Sequence, residues 1–155
     1  MVAAGWSLGY IAELRSGSPF GVTEASNRTG SFSEGNRPNV VGDPYLSPDR
    51  SRADRISRWF NTSAFAAPAD FTFGNAGKTV GYGPGAINMD ISLLRDFRIG
   101  ERHRLQFRGE SLNFLNRPNF ANPVIARGNA AFGRITGLQP GNQNRIVQLG
   151  LRYSF

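Results

Sequence analysis

The sequence predicts an all-β fold, an antiparallel meander of about four long strands, and three observations support this prediction. Apolar and polar side chains alternate along four segments, as they do in strands that have one face of each kind. The 155 residues include 19 glycines and 9 prolines, which disfavours long helices. The chain also has 12 phenylalanines against 2 methionines, and aromatic residues are enriched in strands.

The four predicted strands lie near residues 6–15, 86–97, 103–114 and 145–155. Each runs for about 9–12 residues, the length that a tilted strand needs to cross a membrane. In each strand one row of side chains is apolar and the other is largely polar. The apolar rows are Trp6, Leu8, Tyr10, Ala12 and Leu14; Ile87, Met89, Ile91 and Leu93; Leu105, Phe107 and Gly109; and Val147, Leu149, Leu151, Tyr153 and Phe155.

The connections between these strands are long, short and long. Residues 16–85 and 115–144 are irregular segments rich in Gly, Pro, Asn and Arg, whereas a tight turn near residues 98–101 joins strands two and three. Outer-membrane barrels have this pattern, with long extracellular loops and short periplasmic turns. The fold class is therefore expected to be part of a transmembrane outer-membrane β-barrel, with the tight turn and the chain end at the periplasmic face.

The tight turn also predicts a register for strands two and three. Both apolar rows occupy odd positions, so paired residues must share parity. A three-residue loop over residues 98–100, with Gly100 in the left-handed conformation, satisfies this condition. The predicted partners are Ile91 with Phe107 and Leu93 with Leu105 on the apolar face, and Asp90 with Arg108 and Asp96 with Arg102 on the polar face.

The formal net charge of +7 is carried almost entirely by arginine, since Lys78 is the only lysine. Arginine suits phosphates and carboxylates, so the alternative to a barrel is a soluble, basic, β-rich module that binds an anionic polymer. The arginines do not cluster into one stripe, however, which favours loops and a polar barrel wall and argues against a nucleic-acid partner. Recovery from the outer membrane, or a salt-sensitive complex with nucleic acid, would separate the two hypotheses.

Catalytic, cofactor and metal motifs are not found in the sequence. There is no cysteine, and His103 is the only histidine, so a zinc site is not expected. Asp90 and Glu110 could be imagined as an acid/base pair, but the interior of a membrane barrel is polar. We therefore interpret Asp90, Arg108 and Glu110 as lumen-lining charges. The sequence predicts no enzyme and no cofactor.

The last eight residues, Gln148 to Phe155, carry a second signal. Gln148, Gly150, Tyr153 and Phe155 follow the order polar, glycine, aromatic, terminal aromatic. This resembles the β-signal by which the barrel-assembly machinery recognises outer-membrane barrels. Aromatic side chains at this end suit a membrane–water interface.

Several longer stretches, in order along nearly the whole chain, resemble the C-terminal barrel of TonB-dependent receptors. The resemblance is to the Oar-like kind, which usually carries a carboxypeptidase-regulatory-like domain in front. The matching stretches are residues 16–20 (SGSPF), 37–44 (RPNVVGDP), 59–65 (WFNTSAF), 73–77 (FGNAG), 83–85 (GPG), 88–93 (NMDISL), 105–108 (LQFR), 113–120 (NFLNRPNF) and 149–155 (LGLRYSF).

The resemblance implies a barrel of about 22 strands with an N-terminal plug, in the outer membrane of a Gram-negative cell. It implies uptake of a solute driven through TonB, which contacts the plug. The implied partners are outer-membrane lipid and the assembly machinery, and the solute is not predicted. With about four strands, no plug and no secretory signal, the chain is expected to be a C-terminal fragment or a gene model begun at an internal Met. Ser111 departs from the family pattern, where an aromatic residue is usual.

Overall fold

A computed structural model describes residues 5–31 and 36–155. The chain divides into a sheet unit, residues 1–15, 86–119 and 141–155, and a loop unit, residues 16–85 and 120–140. In chain order the elements are β1 (Trp6–Arg15), β2 (Pro19–Phe20), β3 (Thr23–Glu24), β4 (Asn39–Val40), α1 (Arg52–Ser57), a 3₁₀ turn (Thr62–Ala64), β5 (Phe65–Ala66), β6 (Gly81–Tyr82), β7 (Ala86–Ile99), β8 (His103–Leu112), β9 (Ala126–Arg127) and β10 (Ile146–Ser154).

The sheet unit is built on one four-stranded sheet with the order β1-β7-β8-β10. Every neighbouring pair is antiparallel, and β1 pairs with β7 as expected for a meander. The predicted all-β meander is therefore confirmed. The bounds of the four strands agree with the predicted ones to within two residues, and those of β1 agree at both ends.

The pairing aligns the rows of alternating side chains across all four strands. Leu8 lies opposite Leu93, and Phe107 lies opposite Leu151, so their row forms an apolar face. The alternate row forms a polar face, on which Gln148 lies opposite Glu110. Because neighbouring residues in register share a face, the period-2 pattern of the sequence becomes a two-sided sheet.

The predicted register of β7 against β8 is wrong. Ile91 lies opposite Ser111 and Leu93 opposite Gly109, so the expected pairs Ile91–Phe107 and Leu93–Leu105 do not form. The expected polar pairs fail for the same reason, since Arg108 lies opposite Leu94 and Asp96 opposite Gln106. Parity could not decide this point, because three-residue loops over residues 98–100, 99–101 and 100–102 all keep odd residues opposite odd residues.

The observed turn occupies residues 100–102, and Ile99 pairs with His103. The three-residue length and the left-handed Gly100 are as predicted, with φ at +71°, but Gly100 opens the loop instead of closing it. This register lengthens β7 to Ile99. It also lets the amide of Gln106 donate to the carboxylate of Asp96 at 3.0 Å.

The long segments 16–85 and 115–144, expected to be irregular, contain most of a folded unit. The loop unit has a core of buried side chains that includes Phe20, Val22, Phe60 and Phe65. Phe60 is its centre, since its ring lies 5.2–5.7 Å from the rings of Phe20, Phe65 and Phe132. Sequence periodicity could not reveal this core, because Phe20 and Phe132 lie far from Phe60 and Phe65 in the chain and the four share no regular spacing.

Glycine and asparagine allow the segments of the loop unit to approach closely. A Cβ on Gly17 would lie 1.7 Å from the carbonyl oxygen of Gly83, so only glycine fits there. Two hydrogen bonds join the segments around residues 39 and 75: the Asn39 side chain accepts from the backbone N–H of Asn75, and the Asn75 side chain accepts from the backbone N–H of Val40. Residues of the family-like stretches thus hold the unit together.

The two chain segments of the loop unit are joined by parallel pairing of β3 with β9. Across this pair, one guanidinium nitrogen of Arg127 lies 3.2 Å from both carboxylate oxygens of Glu24, whose side chain is only 4% exposed. Arg127 also donates to the carbonyl of Phe65. A buried carboxylate requires such a partner, so the pairing of the two segments depends on this ion pair.

Candidate functional site

The three charges predicted to line a lumen lie on the polar face of the sheet. Arg108 and Glu110 form an ion pair along β8, with a Nε–Oε1 distance of 2.9 Å. The expected pairing of Asp90 with Arg108 is wrong. Asp90 instead accepts hydrogen bonds from the backbone N–H of Asn113 at 2.8 Å and from the side chain of Asn88 at 3.3 Å.

Asp90 and Glu110 also line a hollow of about 370 Å³ on the polar face, together with Ser92 and Gln148. In this hollow Asp90 serves as a hydrogen-bond acceptor for the chain at the end of β8, and Glu110 is neutralised by Arg108. The arrangement is a paired polar surface of the kind that covers a barrel interior. That these charges face a lumen stays a prediction.

The terminal residues of the expected assembly signal divide between the two faces. Gln148 and Gly150 lie on the polar face, opposite Glu110 and Arg108. Tyr153 lies on the apolar face, and its ring is 6.0 Å from that of Phe155. β10 is an edge of the described sheet, so its outer backbone groups are open to another strand or to a recognition partner.

Aromatic rings gather at the end of the apolar face that lies near the turn at residues 100–102. The rings of Trp6 and Phe107 meet edge to face at 6.1 Å. Arg95 belongs to this apolar row, and its guanidinium lies 4.9 Å from the Trp6 ring and 4.5 Å from the Phe97 ring. Such mixed aromatic and cationic side chains are typical of the membrane–water interface.

His103 also belongs to this aromatic end. Its ring stacks on that of Tyr153, and the Tyr153 hydroxyl lies 2.7 Å from Nδ1 of His103. Arg95 and His103 were not predicted to lie on the apolar face, although both occupy odd positions on strands whose odd rows are apolar. Parity was therefore the signal that could have found them.

Three asparagines organise the opposite end of the sheet. Asn113 and Asn116 take left-handed conformations, with φ at 45° and 49°. The buried Asn113 side chain donates to the carbonyl of Gln143 at 2.7 Å and accepts from the N–H of Arg117 at 3.1 Å. Asn119 accepts from the N–H of Ile87, so β7, β8 and the approach to β10 are tied together.

Ser111, which departs from the family pattern, lies on the apolar row between Ile91 and Val147. Its hydroxyl is buried and has no hydrogen-bond partner within the part of the chain that the structure describes. A buried hydroxyl without a partner costs free energy, whereas an apolar or aromatic side chain there would not.

Among the residues that the structure describes, no helix is long and apolar enough to cross a membrane. The family model for an outer membrane beta barrel domain matches residues 1–148, and the chain therefore belongs to this family. This agrees with the four-stranded antiparallel sheet, its two unlike faces and the strand lengths. No curated protein and no solved structure matches the chain.

Proposed function

We propose that the chain forms the C-terminal strands of a TonB-dependent transporter in the outer membrane of a Gram-negative cell. The observation that supports this most is the apolar face. Leu149 and Leu151 are 75% and 72% exposed, and Tyr10 is 69% exposed. A water-soluble protein rarely exposes so large an apolar surface, whereas the lipid-facing row of a barrel must be apolar.

The proposed orientation places the turn at residues 100–102 in the periplasm and the loop unit outside the cell. The turn is short, while the connections at the other end of the strands are long. This arrangement places Trp6, Phe107 and Tyr153 at the periplasmic membrane surface, one of the two surfaces at which barrels carry aromatic side chains. The proposal assigns the polar face to the lumen.

Four strands are too few for a closed barrel, since known single-chain barrels have at least about eight. In lipid, open edges at β1 and β10 would leave backbone groups unpaired, at a cost of several kcal/mol each. The proposed barrel therefore includes further strands that pair with these edges. Energy for uptake is assigned to TonB through a plug, as in the family that the sequence resembles, and no enzymatic role is proposed.

Orientation is tested by single cysteines, because the sequence has none of its own. Glu101→Cys lies in the turn, and Ala69→Cys lies at an exposed position of the loop unit. With a polymer-linked maleimide too large for porins, we expect Ala69→Cys to be labelled in intact cells and Glu101→Cys only after the outer membrane is permeabilised. Equal labelling in intact cells would overturn the orientation, and recovery of the protein from the soluble fraction would overturn the membrane assignment.

The link to TonB is tested separately in cells that express the complete gene. We expect the protein to co-purify with TonB after crosslinking and to be lost from that complex when TonB carries a deletion of its periplasmic domain. If the protein is recovered from the outer membrane without TonB under both conditions, it is a barrel of another class.

The assembly signal is tested at the last residue. Deleting Phe155 should lower the amount of folded protein in the outer membrane while synthesis continues, because an interface aromatic is lost from the recognition strand. Phe155→Tyr is the matched control and should assemble normally. The assignment fails if the deletion and the control assemble equally well.

A further inference from the structure

The loop unit contains a cavity of about 200 Å³ that the barrel assignment does not explain. It lies between residues 44–50, the end of α1, and the pair of strands β2 and β6. Its walls include the core rings of Phe20 and Phe60, whose centroids are 5.4 Å apart. Pockets for drug-sized ligands measure about 300–1,000 Å³, so this cavity suits a smaller molecule.

Aromatic side chains form much of the remaining wall. The indole N–H of Trp59 donates to the carbonyl of Tyr82 at 2.9 Å, which fixes the ring and joins two sides of the cavity. Tyr45 and Tyr82 also line the cavity, yet both side chains are well exposed to solvent. Exposed aromatic rings beside an apolar cavity are the surfaces that a planar ligand ring would cover.

The charges at the cavity are all positive. Arg50 donates to the carbonyls of Ser47, Asp54, Arg58 and Trp59, so four of its five N–H groups are engaged and its position is fixed. Among the residues that the structure describes, no aspartate or glutamate lines the cavity. An apolar cavity with a fixed guanidinium in its wall selects against cations and favours an anionic ligand.

Arg55 supplies a second guanidinium, and this one retains its hydrogen-bonding capacity. It lies over the Trp59 ring at 5.1 Å, and within the described residues it makes no hydrogen bond or ion pair. A planar guanidinium with free donors binds a carboxylate through two parallel hydrogen bonds. Cation–π contact with Trp59 holds it at the cavity wall.

We propose that this cavity binds a small molecule made of one aromatic ring and one carboxylate. The ring contacts the Trp59, Tyr45 and Tyr82 side of the cavity, and the carboxylate binds Arg55. The absence of an acidic side chain and the presence of two guanidiniums argue for the anion, and the small volume argues for a single ring. The proposal concerns binding by the loop unit and does not depend on transport or on TonB.

Benzoate is the test ligand, and benzyl alcohol is its neutral counterpart. The full chain, labelled with ¹⁵N in detergent micelles, has two indole N–H signals, from Trp6 and Trp59, and Trp6→Phe assigns them. We expect benzoate to shift the Trp59 signal saturably while the Trp6 signal stays in place. Benzyl alcohol should bind at least about tenfold more weakly, because it lacks the charge-assisted hydrogen bonds.

Arg55→Gln should weaken benzoate binding by about tenfold and leave benzyl alcohol unchanged. Arg52→Gln is the matched control on the same helix, since Arg52 lies over Phe120 and does not line the cavity. It should leave both ligands unaffected. Unchanged backbone signals elsewhere in the loop unit show that each variant is folded.

Three results would overturn the proposal. The first is no saturable shift of the Trp59 signal with benzoate. The second is equal affinity for benzyl alcohol, which would remove the carboxylate from the ligand class. The third is an equal effect of Arg55→Gln and Arg52→Gln. Such a result would show that the preference for benzoate comes from the overall positive charge of the loop unit and not from Arg55.

Discussion

The sheet unit and the loop unit place their apolar side chains in opposite ways. In residues 5–31 and 36–155, the buried hydrophobic side chains of the loop unit other than proline are Phe20, Val22, Phe60, Ala64, Phe65, Ala76 and Ile135, whereas the sheet unit contributes only Ala86. On the sheet's apolar face, the large side chains of β1 and β10 are exposed, and those of β7 and β8 are mostly half-buried. The loop unit is therefore stabilised by a core of its own, as a soluble domain is, whereas the sheet depends on its backbone ladders and on an apolar environment.

The largest loss of stability is expected when the centre of the loop unit's core is removed. Phe60→Ala should cost the loop unit about 3–5 kcal/mol, because it deletes a buried ring that contacts three others. Hydrogen exchange should then accelerate at Val80, whose N–H bonds to the carbonyl of Phe20, and stay unchanged in β7 and β8. Phe73→Ala, at an exposed position, is the control and should change stability by less than about 0.5 kcal/mol.

The dependence of the sheet on an apolar environment is tested by two adjacent residues of β10. Leu149→Arg places a charge on the apolar face and should cost about 2–4 kcal/mol if that face meets the middle of a bilayer. Gln148→Arg places the same charge on the polar face and should cost much less. The measurement is the fraction of protein inserted into lipid vesicles as denaturant is raised, and equal losses would contradict the assignment of the two faces.

A smaller effect is expected where the sheet depends on one polar side chain. Asn113→Ala should cost about 1–3 kcal/mol, because the hydrogen bonds of the buried Asn113 side chain to Gln143 and Arg117 are lost and alanine is strained at positive φ. Asn113→Gly removes the same hydrogen bonds without the strain. Exchange rates at the Arg117 amide should rank the two variants, with the alanine variant faster, and equal rates would show that strain contributes nothing.

The same contrast explains which features the sequence could predict. Side chains in a two-sided strand repeat every two residues, so the bounds of β1 and the unlike faces were readable from residues such as Leu8 and Gln148. The register of β7 against β8 could not be predicted, because three-residue loops at three different positions all place odd residues opposite odd residues. Two contacts with β8 accompany the observed register and are not visible in the alternation. Phe107 lies opposite Arg95 and meets the ring of Trp6, and Gln106 donates to Asp96.

The core of the loop unit could not be predicted, because its contacts join residues that are far apart in the chain and have no regular spacing. Phe20 meets Phe60, and Phe60 meets Phe132, across tens of residues rich in glycine and proline. The cavity could not be predicted for the same reason, because Tyr45, Trp59 and Tyr82 are separated in the sequence and meet only in the folded loop unit. Of the predicted site residues, Arg108 and Glu110 do meet, as alternation allows for two residues on the same face of one strand, whereas the predicted pairing of Asp90 with Arg108 depended on the register.

The asparagine hydrogen bonds at the end of the sheet determine which changes the connection between β8 and β10 can tolerate. The backbone N–H of Asn119 donates to the side-chain oxygen of Asn142, and the side chain of Asn116 accepts from the N–H of Arg145, so both ends of the intervening segment are held to the sheet unit. Doubling the length of a flexible connection costs only about 0.6 kcal/mol in closure entropy. A change in the length of the segment between residues 120 and 140 should therefore leave the alignment of β8 with β10 intact.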